Sequence, residues 1–297
     1  FTRSRATPQL CEKYYTLSAW RIFLMKIFHR VGINPDEQDV VDFAKAGIRL
    51  KAGYSVFEIE ESDARWPKLK KLMDAKNKTT LTSTRFSMAE IDSATWLELQ
   101  PTWHYGYPLP DDDFGFLSLT YDSNAVNYCL KCRMGKIQNS PFRIKGEPKW
   151  GRNHILQLNW VFDEYFVRND VYDSVFKPLG IGCLPVLKYK SENELQTIVQ
   201  LQIAKTADSN LKIEGYSYEV CSVCNRKRYL PITRGYFPTF SNLQKETYIM
   251  KSREEFGSGA RSSHAVIVSN KLYRVIVENK LKGVSFYPLG PTKGDGS

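Results

Sequence analysis

The chain has 297 residues and no apolar run near the ~18 residues that a membrane-spanning helix requires. It has no low-complexity segment, and no internal repeat beyond a duplicated pair of cysteines. Glycine (18) and proline (14) are too scarce for a fibrous or disordered chain. Histidine is nearly absent, with four scattered copies, and only six cysteines occur. Against these absences stand 16 Phe, 17 Tyr and 6 Trp, enough aromatic surface for a true core. The mean hydropathy of −0.41 and 42% hydrophobic content describe a soluble globular chain. At about 150 residues per domain, its length predicts one large domain or two modest ones.

Lys and Arg (42) outnumber Asp and Glu (32), for a formal net charge of +10. The first residue is Phe1, and residues 1–24 differ in texture from the rest of the chain. Met25 reads as an ordinary start leading into a strand with alternating apolar residues, so residues 1–24 are expected to be a non-native or upstream leader. A signal peptide is the rival reading. The apolar run from Trp20 to Phe28 is interrupted by Arg21 and Lys26 and lacks a small-residue cleavage site. Removing the leader takes away four basic residues and one acid and leaves +7, so the basic balance survives.

The expected fold is α+β, with short helices on mostly antiparallel strands. Asn34-Pro35-Asp36-Glu37 signals a helix start, with Val40, Val41, Phe43, Ala44 and Ile48 at helical spacing. Strands are expected at Tyr54–Glu60, Thr79–Thr84, Phe116–Tyr121, Ile155–Val161, Leu184–Tyr189, Leu195–Ile203 and Tyr216–Val220. Ser62-Asp63 should open a helix running through Met73, and Ser87 should cap a short one over Met88–Ala94. Another short helix is read over Val171–Phe176. Ser269 is the expected cap of a helix over Asn270–Lys280, stopped by Gly283 before a strand at Val284–Tyr287. Pro101, Pro108, Pro110 and the acidic triplet Asp111–Asp113 mark an irregular connection. This divides the chain into an N-terminal α+β lobe at 25–113 and a second α+β lobe at 114–297.

The sharpest chemistry lies in Cys129-Leu-Lys-Cys132 and Cys221-Ser-Val-Cys224. A two-residue gap lets both thiolates of a turn face one tetrahedral cation, about 2.3 Å from sulfur to zinc. Two such turns complete a four-sulfur site, a split zinc-knuckle element resembling a zinc ribbon. Strands are expected to run in (Asn127-Tyr128, Glu219-Val220) and basic turns to run out. Lys131, Arg133, Arg226 and Lys227 would offset the negative charge of four thiolates on Zn²⁺. The pairs are nearly 90 residues apart rather than the usual ~15–20 of a ribbon. That distance is tolerable, because doubling a flexible loop adds only about 0.6 kcal/mol of closure entropy. A redox dithiol, disulfides and plain buried thiols remain open alternatives. Four thiolates leave no open position for water, so the metal reading is structural rather than catalytic. Cys11 and Cys183 read as ordinary thiols, in keeping with a reducing, cytoplasmic setting.

The two cysteine pairs resemble those of the bacterial double-CXXCG motif family. The similarity extends to WLELQPTWHYGYPLPDDDFGFLSLTYD, SPFRIKGEPKW, LQLNWVFDEYFV, VFKPLGIG and the terminal VSNKLYRVIVENKLKGVSFYPL, covering about residues 25–290. The resemblance implies that Cys129, Cys132, Cys221 and Cys224 bind zinc. It also implies an immunity protein that neutralises a cognate protein toxin by direct binding. The chain departs from the motif after each pair, where Arg133 and Asn225 replace the glycine and Gly135 lies close by. Asn enters the left-handed conformation of such a turn readily, Arg reluctantly.

Other constellations are weaker. Arg133, Lys136, Arg226, Lys227 and Arg228, with Phe142 and Trp150 nearby, frame the alternative of a zinc-ribbon nucleic-acid binder. The same charges also fit a solvated face or counter-charge for the thiolates. Asp111–Asp113 read as a solvated loop, and the adjacent carboxylates of Asp163-Glu164 do not specify an acid–base pair. His104, among Trp103, Tyr105 and Tyr107, reads as packed. Ser258–His264 lacks the setting of a nucleophile, and Gly257-Ser258-Gly259 matches no phosphate-binding loop. No catalytic set is evident, and a non-enzymatic protein is expected.

Overall fold

The computed structural model describes residues 25–51, 53–242 and 247–290; the expected leader at 1–24 lies outside them. Among the described residues the architecture is mixed α+β with strands predominating, arranged in three sheets. Among the described residues, no helix is long and apolar enough to cross a membrane.

The N-terminal segment runs β1 (Lys26–Ile33), α1 (Glu37–Lys45), β2 (Ser55–Glu60), α2 (Trp66–Ala75) and β3 (Leu81–Arg85). Its three strands form an antiparallel sheet in the order β2-β1-β3. Val31, Ile33 and Ile59 meet Phe43, Trp66, Leu69 and Met73 from the helices in a separate small core. Asp36 caps α1 with a reciprocal capping box to Asp39. The inward face of α1 differs from the expected one. Val40 and Val41 are exposed at 37% and 45%, while Asp39 is buried beside Phe43. The reason is electrostatic: Lys76 Nζ reaches Asp39 at 2.8 Å, so the helix turns this carboxylate inward. Helix α2 starts four residues later than Ser62, because Pro67 is suited to a first helical turn.

After α3 (Met88–Ser93), capped by Ser87, the chain enters β4 (Trp96–Pro101). The region expected as a strand at Phe116–Tyr121 is instead a one-turn helix, α4 (Phe116–Thr120). Phe116 and Thr120, four apart, are both buried, which suits a helical turn. The following strands are short: β5 (Arg143–Ile144), β6 (Ile155–Leu156) and β7 (Phe166–Arg168). The expected strand at Ile155–Val161 ends after Leu156, and Trp160 adopts a left-handed φ of 67° incompatible with extension. Helix α5 (Asn169–Val171) continues through helical turns to Leu179. Strands β8 (Gly182–Lys188), β9 (Glu194–Gln202), β10 (Tyr218–Val220), β11 (Lys227–Tyr229), β12 (Phe237–Pro238), β13 (Ile249–Phe256) and β14 (Ser263–Ser269) follow. Helix α6 (Asn270–Glu278), capped by Ser269, and β15 (Val284–Gly290) close the described chain. The helix ends at Asn279, ahead of Gly283, and Lys280 takes a left-handed φ of 53°.

The seven-stranded sheet has the order β10-β11-β13-β14-β4-β15-β12, and the five-stranded sheet β5-β8-β9-β7-β6. Most neighbours are antiparallel, while β11–β13, β12–β15 and β5–β8 are parallel. Strand β4 lies between β14 and β15, so an early segment is built into the later sheet. Leu97, Leu99, Val266 and Val268 from one sheet pack with Val167 and Leu201 from the other, beneath Leu272, Tyr273 and Ile276 of α6. The edge of the large sheet at β10 carries the second cysteine pair.

Candidate metal centre

Residues 221–226 form the turn of the β10–β11 hairpin, and the first pair sits in the loop after α4. The strand expected before Cys129 is absent, since Asn127 lies in a turn and Tyr128 in irregular chain; Glu219-Val220 does run in as a strand. Both turns close with the same hydrogen bonds. Arg133 N donates to Cys129 O at 2.8 Å, and Asn225 N donates to Cys221 O at 2.9 Å. Cys129 N donates to Met134 O at 3.0 Å, and Cys221 N to Arg226 O at 3.1 Å. In both, the residue after the pair is left-handed: Arg133 has φ 63° and Asn225 φ 57°. The conformation that favours glycine is therefore adopted without one. Gly135 takes a third left-handed position (φ 76°), where a Cβ would stand 2.0 Å from Asn127 O.

These turns bring Cys129, Cys132, Cys221 and Cys224 together, with all four sulfurs within 4.8 Å of one another. Cys129 Sγ lies 3.9 Å from Cys221 Sγ, and Cys132 Sγ 3.6 Å from Cys224 Sγ. A tetrahedral zinc with ~2.3 Å Zn–S bonds places sulfurs ~3.8 Å apart, whereas a disulfide needs about 2.05 Å. The cluster can therefore hold a metal ion, and its four cysteines are free thiols. Cys183, also a free thiol, lies away from the cluster on β8.

Protonation is uneven in this set. Burial pushes the Cys132 thiol up to about 12. Burial also opposes the Cys224 thiolate, yet the Arg226 backbone and guanidinium bring it down to about 6. A central cation would favour thiolates at all four positions.

The basic residues divide by role. Arg226 Nη2 donates to Asn127 O at 2.6 Å and Met134 O at 3.1 Å, tying one turn to the other. Arg228 is 5% exposed; it donates to the carbonyls of Cys132, Gly259 and Arg261 and pairs with Glu219 at 2.6 Å. Arg133 donates to the Tyr128 hydroxyl. Lys136 and Lys227 lie over the Tyr121 and Tyr218 rings. Phe142 and Trp150 are buried in the five-stranded sheet's core, so neither offers a free face for base stacking. Asp111–Asp113 are exposed, as read from sequence, but His104 is also exposed rather than packed.

Sequence reasoning missed the polar layer beneath the cluster. Glu255, 7% exposed, accepts from Gly135 N at 2.9 Å and from Ser262 Oγ at 2.8 Å. Asp163 accepts from His264 N at 3.1 Å, while Glu164 pairs with Lys251 and accepts from Gln200 at 3.0 Å. Burial opposes ionisation of Asp163, but Lys251 and Lys136 hold it down at about 2. Burial instead raises Glu164. The signal available was Asp163-Glu164 flanked by Val161, Phe162, Tyr165 and Phe166, an apolar setting that buries what it encloses. Comparison with known protein families, curated proteins and solved structures returns no match.

Proposed function

We propose that this chain is a zinc-stabilised binding protein, specifically an immunity protein that neutralises a cognate bacterial toxin by direct protein–protein contact in the cytoplasm. The observation that carries the metal half is the four-sulfur cluster, with sulfur spacings of 3.6 and 3.9 Å that bracket the tetrahedral zinc value. Four thiolates fill a tetrahedral shell, so the zinc's role is to hold two distant segments together. The immunity half rests on the resemblance to the double-CXXCG family. It is tested by co-expressing the chain with the protein encoded beside its gene. Protection from toxicity and a co-purifying complex are the expected result; neither protection nor complex would sink the reading. The nucleic-acid alternative gains little support from Arg228, which is buried, or from Arg226, whose donors are engaged with carbonyls.

A further inference from the structure

The residues between the paired cysteines are displayed outward. Leu130 and Val223 are each 65% exposed, and Val126 beside them is fully exposed. These three, with Tyr128 and Lys131, line a groove of about 620 Å³ across the tips of both turns. Val220 and Tyr218 of β10 continue the apolar surface along the sheet edge, at 54% and 48% exposure. Among the described residues, strand β10 pairs on one side only, with β11, which makes it an edge strand. Large apolar side chains gathered where hydrogen bonds tie the two turns together mark a contact surface rather than a solvated loop.

The charge around this patch has one sign left over. Residues 121–137 and 216–230 contain five basic residues beyond the buried Arg228, and two acids, Asp122 and Glu219. Glu219 is paired with Arg228 at 2.6 Å, while Asp122 accepts a backbone amide, Asn124 N at 2.9 Å, which leaves one acid against the remaining bases. Arg226 is committed to the Met134 carbonyl and the Cys224 sulfur, and Arg228 to the Cys132 carbonyl and Glu219. Lys131, Arg133 and Lys227 remain as a basic rim, while the charge of Lys136 acts on the buried Asp163. A second copy of this chain would set that rim against itself, and like charges across an interface are costly.

We propose that the tips of the two cysteine turns form the docking surface for a protein partner, whose contacting segment is acidic and carries apolar side chains. Leu130, Val223 and Val126 receive the apolar groups, and the basic rim faces the carboxylates. This deepens the reading as a binding protein and rests on it, by naming the surface that reading leaves unplaced.

The test selects a random peptide library, displayed on phage, against the full zinc-loaded chain. The counter-target is the double variant Leu130→Glu with Val223→Glu, whose metal content and melting temperature should match the parent because both sites are exposed. Leu130→Met with Val223→Met serves as the apolar control. The expected result is an acidic, apolar consensus whose synthetic peptide binds the Glu variant about tenfold or more weakly and the Met variant normally. No enrichment, or a consensus that binds the Glu variant equally, would overturn the proposal. So would concentration-dependent self-association lost in the Glu variant, or oligonucleotide binding that the Glu variant abolishes while no peptide binds. The toxin experiment separates the two readings. Failed protection with a tip-dependent peptide leaves the surface standing and removes the immunity assignment. Protection retained by the Glu variant does the reverse.

Discussion

Arg228, on the strand leaving the second cysteine pair, donates a hydrogen bond to the carbonyl oxygen of Cys132 in the first pair at 3.1 Å. The two turns are therefore joined by protein contacts as well as by any metal. Lys131 Nζ to Ser222 Oγ (2.7 Å) and Arg226 to Met134 O add two more links.

Replacing Arg228 should therefore damage the metal centre without touching a sulfur. Arg228→Met leaves the buried Cys132 carbonyl, the more exposed carbonyls of Gly259 and Arg261, and the half-exposed Glu219 without their donor. Leaving that one buried acceptor unpaired costs about 1–3 kcal/mol, which for a chain of this size lowers Tm on the order of 5 °C. A thermal melt checks this, and an unchanged Tm would show that the hydrogen bonds carry no stability.

Metal removal should act on the same linkage. On the zinc reading, elemental analysis gives about one zinc per chain, and Cys129→Ser with Cys224→Ser removes it. Chelation should lower Tm of the parent and leave the serine variant unaffected, because binding free energy at such a site is folding free energy. A parent chain purified without metal and insensitive to chelator would refute the centre.

Glycine substitutions in the first turn should differ sharply in effect. Gly135→Ala places a Cβ 2.0 Å from Asn127 O at a left-handed φ, and should cost about 1–3 kcal/mol with loss of metal affinity. Arg133→Gly relieves a left-handed non-glycine residue at φ 63° but loosens the unfolded chain, so its net effect should stay within about 1 kcal/mol of zero. Denaturant midpoints with zinc titration distinguish them; equal losses would contradict the turn geometry.

Glu98 should make stability depend on pH. Its carboxyl, half-buried on β4 in the middle of the seven-stranded sheet, is pushed by burial from 4.5 to about 7, with a Gln100 hydrogen bond at 2.9 Å opposing the shift. A raised carboxyl contributes stability below its unfolded pKa and loses it as pH rises through about 7. The gap corresponds to at most about 3 kcal/mol. Glu98→Gln should therefore be more stable than the parent at pH 8 and nearly equal at pH 4. Urea midpoints at the two pH values decide the matter; parallel curves would place the carboxyl in water.

Some of this protein is legible from local chemistry. Ser87 and Ser269 cap helices where they are expected, because a cap involves only a side chain and a backbone amide a few residues away. The β8–β9 pair and the C-terminal strand follow from short-range apolar patterning. Each C-x-x-C turn likewise forms from a handful of residues, which is why the four candidate ligands could be chosen from spacing. Patterning failed where a distant partner decided. Asp39 faces inward because Lys76 lies across from it, and Phe116–Thr120 coils rather than extends.

The sequence by itself determined the two cysteine turns, their chemistry and the α+β character of the chain, all of which depend on neighbours in the chain. Only the tertiary structure decided that the turns meet, that Arg228 is structural rather than a free cation, and that Leu130 and Val223 face outward. Those outcomes depend on β11 joining β13 at the sheet edge and on Glu255 holding Gly135, contacts between residues 27 and 120 positions apart. Local pattern carries no information about which distant group will satisfy a buried donor, and that pairing set the geometry of the centre.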